Sequence, residues 1–303
     1  MITLSTKDSL SLSELSLGCM DLPVDDKVES EKIIETALDA GINYFDTADL
    51  YQFGDNERLV GEILEKYRSR YDFLIGTKVG NQFDAESREK TAWNPSAAYI
   101  KEAVKDSLHR LGVSQLDLYQ LHGGTIEDNK DETIQAFEDL KQEGTIRSYG
   151  ISSIRMNVID YYKKHSEIAT LMMQFNPIDN RPLEVTDGLS DIRPLARGPV
   201  MKGLLSNMAS SVLEKKFDEG VLDYSKDELK ETLDALASIN RDLTALSYAF
   251  LRKNGAVIVN GVSSLRQLED NLASYRRTED LTDDGYKSIL EAVKILKYGE
   301  HRI

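Results

Sequence analysis

The chain has 303 residues, 41% of them hydrophobic and 29% charged, with only 6 prolines, a profile that excludes a disordered polypeptide and suffices for one large domain or two ordinary ones. A formal net charge of -15, from 52 acidic and 37 basic residues, repels phosphate backbones and anionic membranes, so neither nucleic acid nor a membrane is an expected partner. Cys19 is the only cysteine, which excludes an intramolecular disulfide and any cysteine-rich metal site; beside Gly18, in an apolar setting, it reads as a packed thiol, and no metal is expected.

The amino terminus, MITLSTKDSLSLSELSLG, has no basic segment followed by an apolar core. No stretch elsewhere approaches the roughly 18 consecutive apolar residues of a membrane span, so a cytoplasmic protein with an N-terminal cap segment is expected. Beyond it, short runs of branched and aromatic residues alternate with longer segments of helical period. The runs are 15–18, 42–46, 73–78, 116–122, 146–152, 171–176, 192–197 and 256–260. Such alternation argues for parallel βαβ units, and eight strands close a barrel. The expected fold is therefore α/β, a (β/α)8 TIM barrel in one domain over residues 1–303.

The intervening segments carry helix signals. SEKIIETALDAG puts Ile33, Ile34, Ala37 and Leu38 on one face and stops at Gly41. NPSAAYIKEAVKDSLHRLG has Pro95 near its first helical position and stops at Gly112, and ETIQAFEDLKQEG stops at Gly144. Residues 206–240 are charged, poor in strand formers and too long for a connector, so they read as an inserted loop with a helix. The tail from Asp280 to Lys297 reads as an extra C-terminal helix.

In such a barrel the chemistry gathers at the carboxyl ends of the strands. Those positions hold Asp46 with Tyr51 just beyond, Lys78, His122, Ser152 with Ser153, Gln174 with Asn176, and Arg197. Singly, Asp46 reads as a turn cap and Lys78 as a solvated strand end. Together, Tyr51 becomes a proton donor whose phenolate Lys78 favours, Asp46 holds the ammonium, and His122 orients a carbonyl oxygen. His109, His165 and His301 read as surface groups, and Lys215-Lys216 as a solvated face. Asp49 and Asp55 read as caps of the turn before NERLVGE. Tyr44, Tyr119, Met172 and Met173 read as packing, Phe53 as an apolar wall beside the site, and Trp93 either as such a wall or as a surface loop contact.

FDTADLY with NERLVGE, IGTKVG, LDLYQLHGG, IRSYGIS, MMQFNP and GVSSLRQLEDN, in this order and over nearly the whole chain, resemble the aldo-keto reductases. The stretch ARGPVMKGLL resembles bacterial, Bacillus-type members. The resemblance implies reduction of an aldehyde or ketone by hydride from NADPH, with NADH less favoured. It makes Tyr51 the general acid, assisted by Lys78, Asp46 and His122, on a small-molecule carbonyl substrate. It implies an extended cofactor at the barrel mouth, in keeping with the lack of a G-x-G-x-x-G between strand and helix. Contacts are implied from Gly18, Met20 and Asp46, and from Ser152 and Gln174 to the nicotinamide carboxamide. Arg197 falls where many members stack a tyrosine on the ring. Gly198, Pro199, Lys202 and Gly203 serve the pyrophosphate, and Ser263, Arg266, Gln267 and Asn271 the adenosine end, with Arg266 the nearest cation for a 2′-phosphate. A monomer or weak homo-oligomer is expected. Two other functions stay open: a Schiff-base aldolase using Lys78, and an NADPH-binding regulatory or redox-sensing subunit with little turnover.

Overall fold

Each of the eight apolar runs supplies one strand in the computed structural model, which describes residues 1–300 and 302; His301 lies outside the described residues. The strands are β1 (Leu15–Gly18), β2 (Tyr44–Asp46), β3 (Leu74–Val79), β4 (Leu116–Leu121), β5 (Ile146–Ser152), β6 (Thr170–Gln174), β7 (Arg193–Arg197) and β8 (Val257–Gly261). All neighbours pair in parallel, in the cyclic order β1-β2-β3-β4-β5-β6-β7-β8 back to β1. The expected (β/α)8 barrel is thus present. His122 and Asn176 fall just past their strands, although the His122 amide still donates to the Val79 carbonyl at 2.8 Å, so the ladder fixes it in place.

Period-two alternation sorts the strand side chains into two layers. Leu118, Met172, Leu195, Val257 and Val259 point into the barrel, where Leu10 and Leu12 meet them. Tyr119 and Met173, one residue on, point outward into the layer shared with the helices, where the Tyr119 ring meets Phe137. Leu10 and Leu12 come from an N-terminal antiparallel hairpin, Thr3–Ser5 with Ser11–Ser13, which is the expected cap segment. It closes one end of the barrel and leaves the carboxyl ends of the strands at the other.

The outer layer is α1 (Lys27–Asp39), α2 (Asp55–Glu65), α3 (Ala97–Leu111), α4 (Lys130–Gln142), α5 (Met156–His165), the short α6 (Leu183–Thr186), α7 (Ala209–Lys216), α8 (Lys226–Ile239), α9 (Leu243–Lys253), α10 (Leu265–Arg276) and α11 (Asp283–Ala292). Their apolar stripes face the strands as expected: Ile33, Ile34, Ala37 and Leu38 of α1 are all buried. Ser96, not Pro95, starts α3, its hydroxyl accepting from the Tyr99 amide at 3.3 Å. Gly112 ends that helix at φ 66, a left-handed conformation that a residue with a Cβ adopts only at a cost. Residues 206–240 hold two helices rather than one, because the Ser225–Glu228 capping box starts α8 afresh. The extra C-terminal helix is shorter than expected, since Thr282 caps it and Val293 is already extended. Among the described residues no helix is long and apolar enough to cross a membrane.

Candidate active site

Lys78 ends inside the barrel with no solvent exposure. An ammonium there is tolerable only if its protons find acceptors. It donates to Asp46 Oδ2 at 2.5 Å, to the Thr47 carbonyl at 2.6 Å and to Tyr51 Oη at 3.4 Å. The other Asp46 oxygen accepts from Tyr44 Oη at 3.1 Å and Gln120 Nε2 at 3.3 Å. Burial pushes the lysine pKa down, but Asp46 and Tyr51 outweigh it and leave it above its ordinary value. The ammonium form is therefore locked in.

Tyr51 opens a one-turn 3-10 segment, Tyr51–Gly54, and its ring lies edge-on to His122 with centroids 5.8 Å apart. Lys78 Nζ sits 5.0 Å from the centre of that ring. Burial raises the phenol pKa and Lys78 lowers it; the balance is upward, against the expectation that Lys78 would govern it. The cation is shared with two stronger acceptors, so desolvation wins. Burial, then the charges of Lys78, Arg197 and Lys90, lower the His122 pKa to about 3. Its imidazole is neutral under ordinary conditions, and Nδ1 is buried without a hydrogen-bond partner.

The four residues thus meet at the carboxyl ends of β2, β3 and β4. Sequence reading missed two members of the floor, Tyr44 and Gln120. Both were accessible from period two, since each stands two residues before a recognised site residue and so shares its face. Gly76 makes room for Tyr44: a Cβ there would lie 2.1 Å from the phenol oxygen. Asp49 and Asp55 do not cap α2, whose N-cap is Gly54 with no side-chain bond. Asp55 instead pairs with Arg58 and Arg88. Asp49 is 1% exposed and neither carboxyl oxygen has a hydrogen-bond partner of good geometry among the described residues; burial, then Glu57, hold its pKa well above the usual carboxylate range, outweighing the nearby Leu50 amide and the charges of Arg110 and Lys78.

A cleft of about 1800 Å³ runs across the barrel mouth from these groups. Its wall includes Gly18, Met20 and Asp46 on one side and Ser152, Gln174 and Arg197 on another, with Arg197 Nη1 donating to Gln174 Oε1 at 3.2 Å. Gly198, Pro199, Lys202 and Gly203 follow, then Ser263, Gln267 and Asn271. Of the expected cofactor residues only Arg266 does not line it; exposed in the first turn of α10, it leaves the wall to Gln267, and Arg277 at the far end of that helix is the cation that does. Lys215 and Lys216 are exposed, as expected of a solvated face, but stand on the cleft rim. Trp93 is a wall residue and Phe53 is not.

This wall suits a phosphorylated dinucleotide. Met201, Lys202 and Gly203 have φ of 45, 54 and 94, a tight turn whose Met201 and Gly203 amides donate to the Gly198 and Val200 carbonyls at 3.0 and 2.9 Å, so that the exposed Lys202 side chain is what it offers an anion. Eight lining residues are Lys or Arg against four Asp, in a chain whose acids outnumber its bases. Residues able to hold a nicotinamide cofactor are therefore gathered where the family resemblance expects one.

Residues 14–294 match the profile of the Aldo/keto reductase family. The chain is 46% identical over 308 residues to the uncharacterized oxidoreductase YqkF of Bacillus subtilis, covering 99% of this chain and 98% of that one. The holo form of the aldo-keto reductase AKR11C1 from Bacillus halodurans shares the fold with a TM-score of 0.92 at 43% identity, and the apo form 0.83 at 40%, each over the whole of both chains. The motifs, the closed barrel and these relatives agree: the chain belongs to the Aldo/keto reductase family, oxidoreductases of carbonyl compounds that use a nicotinamide cofactor.

Proposed function

We propose that the protein reduces an aldehyde or ketone to the alcohol with NADPH, Tyr51 acting as general acid. The observation that carries this reading is the single ammonium of Lys78 reaching both Asp46 and Tyr51. When bound, the reduced nicotinamide supplies the hydride. Tyr51 Oη gives its proton to the carbonyl oxygen as alkoxide charge develops there, and Lys78 stabilises the phenolate left behind. Asp46 fixes the ammonium; Tyr44 and Gln120 fix Asp46. His122, neutral down to about pH 3, has no spare proton to give and serves as a hydrogen-bond donor to the same oxygen. Tyr51 rather than His122 is therefore the acid.

Ser152 and Gln174 fit the carboxamide, Arg197 the ring face and the turn at Gly198–Gly203 the pyrophosphate. Preference for NADPH over NADH rests on Arg241 at the α10 end of the cleft, beside Arg277, whose guanidinium is already held by Asp242 at 2.6 Å, in place of Arg266. The aldolase alternative is disfavoured because a lysine held protonated by Asp46 is a poor nucleophile. Titration with NADPH and NADH, followed by a carbonyl panel read by loss of the reduced cofactor's absorbance, tests the reading. NADPH is expected to bind more tightly and to be oxidised. Tight binding with no oxidation across the panel would instead favour the regulatory-subunit alternative.

A further inference from the structure

We propose that the substrate carries an anionic group, a carboxylate or a phosphate, a few bonds from its carbonyl, and that Lys90 and Arg155 receive it. This rests on the carbonyl-reductase reading of the same cleft. The cleft's acids are Asp21, Asp46, Asp242 and Asp270. Asp46 is spent on Lys78, Asp21 lies against Gly261 at the end of β8, and Asp242 and Asp270 belong to the α9 and α10 side. Among the described residues no acid lines the half of the mouth formed by the loops after β3, β4 and β5; Asp128 of the loop after β4 stands behind that wall, accepting from Trp93 Nε1 at 2.9 Å and from the Thr125 hydroxyl at 2.6 Å.

Two cations line that half. Lys90 stands on Glu89–Trp93, the second strand of a hairpin that follows β3, and its exposed side chain makes no ion pair or hydrogen bond among the described residues. Arg155 lies in the loop after β5; its guanidinium donates to the Gly124 carbonyl and has no carboxylate partner among the described residues. Arg58, Arg88 and Arg110, on α2, the hairpin after β3 and α3, each have one. Of the eight Lys and Arg residues lining the cleft, only Arg277 has a carboxylate partner among the described residues; what sets Lys90 and Arg155 apart is their place on the loops after β3 and β5, on the His122 side of the mouth.

Their placement relative to His122 gives the subsite its direction. His122 is followed by Gly123 and Gly124. The Trp93 ring lies against Gly123, 3.2 Å from where a Cβ would be, and Arg155 holds the Gly124 carbonyl from the other side. Lys90 is near enough for its charge to act on the imidazole. A substrate whose carbonyl oxygen meets Tyr51 and His122 would lay its far end over these two glycines, between the Lys90 strand and Arg155. The turn at Gly198–Gly203, which the cofactor reading uses for the pyrophosphate, follows β7, four strands around the barrel from β3 and its Lys90 hairpin and two from β5 and its Arg155 loop.

The test compares carbonyl pairs of matched skeleton, succinic semialdehyde against butanal and glyceraldehyde phosphate against glyceraldehyde. The wild-type kcat/KM is expected to favour the anionic member of at least one pair by about tenfold, the scale of one charge-assisted contact. Lys90→Gln and Arg155→Gln should each move that ratio most of the way toward unity, and the pair that shows the effect distinguishes carboxylate from phosphate. A wild-type ratio at or below one in both pairs overturns the proposal. So does a ratio that neither substitution changes. Binding is read separately by quenching of Trp93, the only tryptophan, in protein saturated with oxidised cofactor. If no aldehyde is reduced yet the anionic ligand still quenches at lower concentration than its neutral partner, the reductase reading fails and the subsite stands; equal affinities overturn the subsite.

Discussion

An ammonium and a carboxylate side by side below the cleft would each cost several kcal/mol to desolvate, and what keeps them there is the completeness of their hydrogen bonding. Lys78 has three acceptors and Asp46 three donors. Asp49, three residues from Asp46, shows the opposite case: a buried carboxyl with no hydrogen-bond partner of good geometry among the described residues. Its folded-state pKa is raised, so it contributes stability that is fully present below the ordinary 3.8 and lost as pH rises above it, because the unfolded chain gives up the proton while the folded one retains it. Asp49→Asn is therefore expected to be more stable than wild type at about pH 8 and to lose that advantage toward about pH 5, with a slope of up to about 1.4 kcal/mol per pH unit. Urea midpoints of the two proteins across that range check it; parallel curves would mean that Asp49 ionises normally. Asp46, Tyr51, Lys78 and His122 were legible in the sequence because each ends or follows an apolar run. Asp49 was not, since a polar residue in a loop looks solvated until the helices above it are placed.

Between elements, the close contact of α2 and α3 holds the site's outer wall. Gly61 of α2 lies so near α3 that a Cβ would be 2.4 Å from the Leu111 carbonyl oxygen. Glu57 of α2, fully buried, accepts from Arg110 of α3 at 2.6 Å and from Thr77 of β3 at 2.6 Å, next to Lys78 in sequence. Gly61→Ala should force the helices apart and cost about 1–3 kcal/mol in thermal or urea unfolding. Because β3 is tied to α2 through Thr77, the same variant should lose turnover out of proportion to cofactor affinity. Unchanged stability would show that α2 can shift freely. Helix existence was legible from apolar stripes and terminal glycines. Which helices touch was not, because a glycine inside an amphipathic helix signals a close approach only once its neighbour is known. The same holds for Arg277, which reads from sequence as one more basic residue at a helix end, and becomes a cleft residue only when α10 is laid against the barrel mouth.

At the scale of the molecule, eight strands and the hairpin plug leave one open end, and the chain concentrates there a basic wall against its acidic surface. The barrel was readable because alternation of strand and helix signals is repeated eight times, so errors of a residue or two at each end do not change the count. The two helices of 206–240 were harder, since no periodic partner strand marks them off. If Tyr51 gives the proton and Lys78 stabilises the phenolate it leaves, Tyr51→Phe isolates that step, by cofactor titration and turnover on the same preparation. The expected result is NADPH affinity within about twofold of wild type and a loss of kcat of at least about 10²-fold, the scale of a removed general acid. Turnover equal to wild type in that variant would contradict it.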